Sequence, residues 1–309
     1  MAAEPGRPPA ALSVVDRRLT GVEDTGIDDP ISDAADSSQP RPQSLLLAFF
    51  GNHVLAEDGD LCVYSGSIIE VLGRVGVGEQ AVRSTLSRMV NRGLLHRRRE
   101  GRRMHFGLTE QAKHVLDDGR ARIWKQGAVN DEWDGAWTLL AFSLPDAWKR
   151  RRHELRSRLV WSGFGTLYSG LWIAPGHVDV SEVVGELGLA EYVKVFHGAA
   201  GVATDIERMI RDTWDLESIA ARYRAFEERW RDGPRERPGV GADDPLGARL
   251  RLVSEWLDTI RADPRLPACH LPHDWPARPA QETFHRIAEQ TEAPAREMAR
   301  ELLQTTTVR

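Results

Sequence analysis

Gln80, Arg83, Ser84, Ser87, Arg88 and Asn91 recur at the three- and four-residue spacing of one helix face. These side chains can read base edges in a DNA groove. Arginine donates to guanine, glutamine and asparagine pair with adenine, and serine adapts to either. On the opposite side of the same stretch, Val82, Leu86, Met89 and Val90 form an apolar stripe that predicts a half-buried helix over residues 79–92. A second group of cations follows at once. Arg97, Arg98, Arg99, Arg102 and Arg103 flank Glu100-Gly101, and the surrounding alternation predicts a β-hairpin turning at that dipeptide. Arginines on both sides of a hairpin tip suit contact with phosphate or with the minor groove.

These residues need elements to hold them. Ile68, Ile69, Val71 and Leu72 predict a short helix over 67–74, and Gly76-Val77-Gly78 predicts a tight turn before the second helix. Two helices joined by a short glycine-containing turn make a helix-turn-helix. With the hairpin as wing, whose inward side is Leu95, Met104, Phe106 and Leu108, residues 66–108 read as a winged helix-turn-helix. The plainer alternative is a solvated amphipathic helix and a charged hairpin. Against it, the arginines crowd into about twenty positions of a chain whose formal net charge is -5. An apolar first helix, Ser44 to Phe50 and closed by Gly51, is expected to pack on the buried stripe. Thr109 suits the N-cap of a helix reaching Lys125, with Ala112, Val115, Leu116 and Ala121 apolar. That helix is expected to be the only covalent route from the DNA-reading head to the body.

A chain of 309 residues implies about two or three domains, and 41% hydrophobic residues suffice for real cores. There is no run of 18 apolar residues to span a membrane and no secretory pattern at the start. Two cysteines, Cys62 and Cys269, make no disulfide framework and fit a reducing cytoplasm. Residues 1–43, rich in Pro, Ala, Ser and Asp, read as a disordered tail. Residues 44–110 are the winged helix domain and 111–131 the linker helix. Between 132 and 203 the order is strand, helix, strand, strand, helix, strand, a ferredoxin-like βαββαβ domain with one open sheet face. Residues 204–309 read as a helical domain, so the fold class is α+β.

Other constellations carry less. Asp146, after the first central strand, stands where a ferredoxin-like nuclease would keep a metal-binding acid, but it also suits a helix N-cap. One acid makes a poor magnesium site. Cys269, His270, His273 and Asp274 have zinc-like spacing, yet Pro267, Pro272 and Pro276 make an incidental turn the better reading. No phosphate loop, nucleophile elbow or HExxH motif is present, and neither metal nor cofactor is expected.

Four blocks in order give the chain a resemblance to the PaaX family of bacterial transcriptional repressors. They are SLLLAFFGNHVL at 44–55, GVGEQAVRSTLSRMVNRGLL at 76–95 with its RRREGRRMHFGLT wing, WDGAWTLLAFSLP at 133–145 with SGFGTLYSGLWIAPGH after it, and DPRLPACHLPHDWP at 263–276. The match spans about Ser44 to Leu303. The resemblance implies the same three-part architecture and a homodimer on a double-stranded operator. It also implies repression of an aromatic-acid catabolic operon, relieved by an aryl-coenzyme A thioester. The alternative is a transcriptional activator or dual regulator with a different effector. The family often carries a hydroxyl residue before the recognition helix, where this chain has Gly78, a change worth only a few tenths of a kcal/mol. For the implied effector, the coenzyme A phosphates would need cations. Arg150, Arg151, Arg152, Arg156 and Arg158 on the central helix are the candidates, with a solvated helix face as the plainer reading.

Overall fold

The computed structural model describes residues 41–55, 61–234, 244–261 and 263–307. Most of the expected tail, and the loop after residue 234, lie outside them. Helix α1 (Pro42–His53) opens with proline in its first turn, where the missing N–H costs nothing. It buries Leu45, Leu46, Phe49 and Phe50. It does not stop at Gly51. An interior glycine costs about 1 kcal/mol, and the buried phenylalanines on its inner side outweigh that.

Strand β1 (Leu61–Tyr64) leads directly into α2 (Ser65–Arg74), then α3 (Glu79–Asn91). Two more strands follow, β2 (Leu95–Glu100) and β3 (Arg103–Leu108), paired from Leu95 with Leu108 to Glu100 with Arg103. The turn is therefore Gly101-Arg102, one residue later than expected, because Gly101 takes the left-handed conformation (φ 59°). α4 (Glu110–Ala121) begins on Thr109, whose hydroxyl accepts from the Ala112 amide (3.2 Å). The same hydroxyl donates to the Gly93 carbonyl (2.6 Å). Val115 on α4 is half exposed, against expectation, and Arg122–Gln126 widen into a π-helical turn.

The central portion runs β4 (Ala136–Phe142), α5 (Lys149–Trp161), β5 (Gly165–Tyr168), β6 (Leu171–Pro175), α6 (Ser181–Glu186) and β7 (Val193–Ala199). Its sheet has the order β5-β6-β4-β7 with antiparallel neighbours. One face, with Leu140 and Trp172, buries Leu155 and Leu159 of α5. The face expected to be open is half covered, since Trp137 and Ile173 pack on Ile210, Leu266 and Trp214. Phe196, on the β7 edge, stays 60% exposed.

Four helices follow: α7 (Ile206–Thr213), α8 (Leu216–Trp230), α9 (Pro245–Ile260) and α10 (Ala277–Leu302). Asp205, Asp215 and Asp244 cap the first three through their side chains. In α10, Pro294 cannot donate to the carbonyl four residues earlier. The buried Arg249 of α9 donates to the nearby Ala288 carbonyl (2.7 Å).

The core does not divide between head and helical body. Phe49, Leu72, Leu86 and Phe106 belong to the same buried cluster as Tyr223, Trp256, Phe284 and Ile287. Nor is α4 the only link. After α10 the chain returns to the head as β8 (Thr305–Thr307), which pairs antiparallel with β1 and makes the sheet β2-β3-β1-β8. A three-residue run of threonine carries no apolar signal, so the sequence gives no warning of it.

Segment 263–276 ties the central sheet to the helices. Asn130 donates to the Arg265 carbonyl (3.0 Å), and its own carbonyl accepts from Ala268 (2.9 Å). Arg265 is the one non-glycine residue at positive φ (56°) among the described residues. Its amide donates to Asp263 (2.7 Å). The ring of Trp161, at the end of α5, meets the guanidiniums of Arg122 (4.5 Å) and Arg261 (5.5 Å), and its indole donates to Asp118 (3.0 Å).

Candidate nucleic-acid interface

Helix α3 is set by the inward packing of Val82, Thr85, Leu86 and Met89. Thr85 can be buried because its hydroxyl donates to the Ala81 carbonyl (2.8 Å). With this side inward, the helical repeat places Gln80, Ser84, Ser87 and Asn91 in one exposed row. Arg83 and Arg88 flank the row on either side, both exposed. The structure thus brings together on one exposed side all six α3 residues singled out from the sequence, with Asn91 at the end of the row.

The flanking arginines are held loosely. Arg83 reaches Glu79 through Nε and Nη2, each at 2.8 Å. Such an exposed i,i+4 pair is worth about 0.3–0.5 kcal/mol, so a phosphate competes with it easily. Arg88 donates to the Thr85 hydroxyl (3.0 Å). Ser87 donates to the Arg83 carbonyl (3.0 Å), which leaves its lone pairs outward. Gly78 occupies the N-cap of α3 without a side-chain bond, so the first-turn amides are open to an anion.

The hairpin separates its arginines. Directly paired residues share a face of the sheet. Arg97 and Arg99 therefore lie on the side of Met104 and Phe106, whereas Arg98 and Arg103 lie on the side of His105. All five are exposed. Arg97 and Arg102 make no hydrogen bond or ion pair among the described residues, and Arg99 donates to the Gly101 carbonyl (3.1 Å). Arg98 donates to the Thr307 carbonyl (3.1 Å) and Arg103 to Gln304 Oε1 (2.6 Å). Sequence reading missed Gln304 and Thr307, because about 200 residues separate them from the hairpin.

The arginines of α5 divide as well. Arg152 turns back to the Leu144 carbonyl (2.8 Å), and Arg158 is held by Glu186 and Glu154. Arg150, Arg151 and Arg156 remain exposed, with Arg151 over the Trp148 ring (4.5 Å). Asp146 does not cap α5. The helix starts at Lys149, and the exposed Asp146 side chain faces Arg152 at 3.5 Å. Among the described residues, no group of three or more His, Cys, Asp and Glu could hold a metal ion. His270 packs edge-to-face on Trp133 (5.2 Å). No described helix is long and apolar enough to cross a membrane.

The chain is 26% identical over 258 residues to the transcriptional repressor PaaX of Escherichia coli strain K12, covering 79% of this chain and 80% of that one. A solved structure of the uncharacterized protein Rv0674 from Mycobacterium tuberculosis has a similar fold. Its TM-score is 0.53 at 21% identity, covering 84% of this chain and 99% of that one. Residues 41–112 match the family model for PaaX-like protein, 130–210 that for the PaaX protein central Cas2-like domain, and 214–301 that for the PaaX-like protein C-terminal domain. With the three matches following one another along the chain, it belongs to the PaaX-like family.

Proposed function

We propose that the chain is a DNA-binding transcriptional repressor of the phenylacetate-catabolic type, acting in the cytoplasm as a homodimer on a double-stranded operator and having no enzymatic activity. The observation that carries this reading is the exposed row Gln80, Ser84, Ser87 and Asn91 flanked by Arg83 and Arg88, on a helix whose other side is fully buried. The relative's printed name, a transcriptional repressor, supports it. In this reading residues 44–110 are a winged helix domain. α3 enters the major groove, Arg97, Arg98, Arg99, Arg102 and Arg103 serve phosphate or minor groove, the central domain is ferredoxin-like, and the helices after it form the third part. The effector is an aryl-coenzyme A thioester that releases the DNA. Its phosphates would meet Arg150, Arg151 and Arg156, the α5 arginines that remain exposed.

The test is a salt titration of binding to the duplex upstream of the chain's own gene. Replacing Arg97 and Arg102 by Ala removes two phosphate contacts and should lower the slope of log K against log[salt] by about 1.8. Arg83→Ala should cost about 1–3 kcal/mol of discrimination at one base position. An unchanged slope rejects the wing, and equal losses on operator and random duplex reject Arg83 as a reader. For the effector, phenylacetyl-coenzyme A should raise the melting temperature and weaken operator binding.

A further inference from the structure

The geometry points to Gln304 as a positioning residue for the wing. It holds Arg103 in the orientation that meets a DNA phosphate, so residues 304–307 after α10 form part of the DNA-binding apparatus. This rests on the reading of the hairpin as a DNA-contacting wing.

Gln304 is fixed at three points. Its amide donates to the Ser67 hydroxyl at the start of α2 (3.1 Å). Its carbonyl accepts from the Tyr64 amide at the end of β1 (2.9 Å). Its side-chain oxygen accepts from Arg103 Nη1 (2.6 Å). The guanidinium of Arg103 also lies over the Tyr64 ring, 5.2 Å from its centroid. One edge and one face of that guanidinium are thereby occupied, and the remaining donors are left for an acceptor outside. The residues that follow repeat the arrangement, since the Thr307 carbonyl accepts from Arg98 on the same face of the hairpin (3.1 Å).

The chemistry favours positioning over neutralisation. Both acceptors are uncharged, an amide oxygen and a backbone carbonyl, so the arginines are oriented while their charge stays available. A carboxylate in either place would compete with phosphate. An exposed arginine ordinarily loses rotamer entropy when it is fixed, and here part of that ordering precedes binding. The element that does the fixing is the continuation of α10, whose Phe284 and Ile287 lie in the core shared with α3.

A double-mutant cycle tests this, with a random-sequence duplex as probe and affinity measured across a salt series. Arg103→Ala should weaken binding about tenfold and lower the salt slope by about 0.9. Gln304→Ala should weaken it by roughly a third to a half of that on a logarithmic scale. In the Arg103→Ala background, Gln304→Ala should have no further effect. The melting temperature of Gln304→Ala should match the wild type, because the side chain is exposed and makes this one bond. Strict additivity of the two losses overturns the inference, as does an Arg103→Ala variant that binds like wild type. If the wild-type chain shows no salt-dependent binding to any duplex, the repressor reading falls and this inference falls with it.

Discussion

Replacing Phe284 by Ala probes whether the head and the helical body are one cooperative unit. Phe284 is fully buried, stacks on Trp256 with ring centroids 4.8 Å apart at 10°, and meets Trp124 at 5.2 Å. Truncating a buried phenylalanine costs about 3–5 kcal/mol through lost burial and the cavity left behind. A body of this size shifts its melting temperature by about 2–4 °C per kcal/mol, so a fall of roughly 6–20 °C is expected. Calorimetry gives the shift and hydrogen exchange gives its extent. Because Leu86 and Met89 of α3 share the cluster with Phe284, amides of α3 should lose protection together with those of α9. The separate cluster around Leu140 and Leu155 should lose less. Full protection of α3 in a variant whose α9 opens freely would show that the head has a core of its own.

Two groups, half-buried His53 and buried Asp263, should tilt stability with pH in opposite directions. Burial, then Arg249 and Arg296, hold His53 down to about 4. A histidine depressed in the folded state contributes stability that is present above about 6.5 and is lost as pH falls towards 4, no more than about 3 kcal/mol here. His53→Leu should therefore flatten that acid limb in urea titrations, and an unchanged limb would show that His53 titrates normally. Asp263 behaves conversely, since burial raises it to about 6 although Tyr223 and the Arg265 amide donate to it. Its stabilising share is complete below about 4 and is lost as pH rises through about 6. Asp263→Asn should remove that decline, and a decline of wild-type size in the variant would assign it elsewhere. Thr109→Ala deletes both the cap of α4 and the bond to Gly93, and should cost about 1–2 kcal/mol in chemical denaturation. A loss below a few tenths would mean that water replaces the hydroxyl.

Much of the candidate interface is legible in the sequence because it is local. Helical spacing alone orders Gln80, Ser84, Ser87 and Asn91 into a row, and Thr109 announces α4 by residue type. The central strands show through their alternation, and the βαββαβ run is read from six neighbouring segments. What escapes is set by distance or by competition. Gly51 reads as a stop, but the burial of Phe49 and Phe50 carries α1 past it. Val115 reads as apolar stripe, yet α4 turns Ala112 inward and leaves Val115 out. The hairpin arginines look equivalent in a linear string, and only the register divides them between two faces. The polar run Thr305 to Thr307 becomes a strand because β1 offers it an edge.

That edge also sets a timetable. β1 pairs with β8, and Ser67 and Gln304 are bonded across 237 positions of sequence. Synthesis at about 5–20 residues per second leaves roughly 10–40 s between the emergence of β3 and that of β8. Throughout that interval the hairpin sheet has three of its four strands, an unpaired β1 margin and two hairpin arginines, Arg98 and Arg103, without their acceptors. An exposed margin of this kind invites pairing with other chains. The long closure also raises the contact order, which slows the last step of folding. A growing polypeptide can thus close β2 on β3 early, but this sheet is finished only when residue 307 has been added, so a prematurely terminated chain would carry Arg98 and Arg103 without their acceptors.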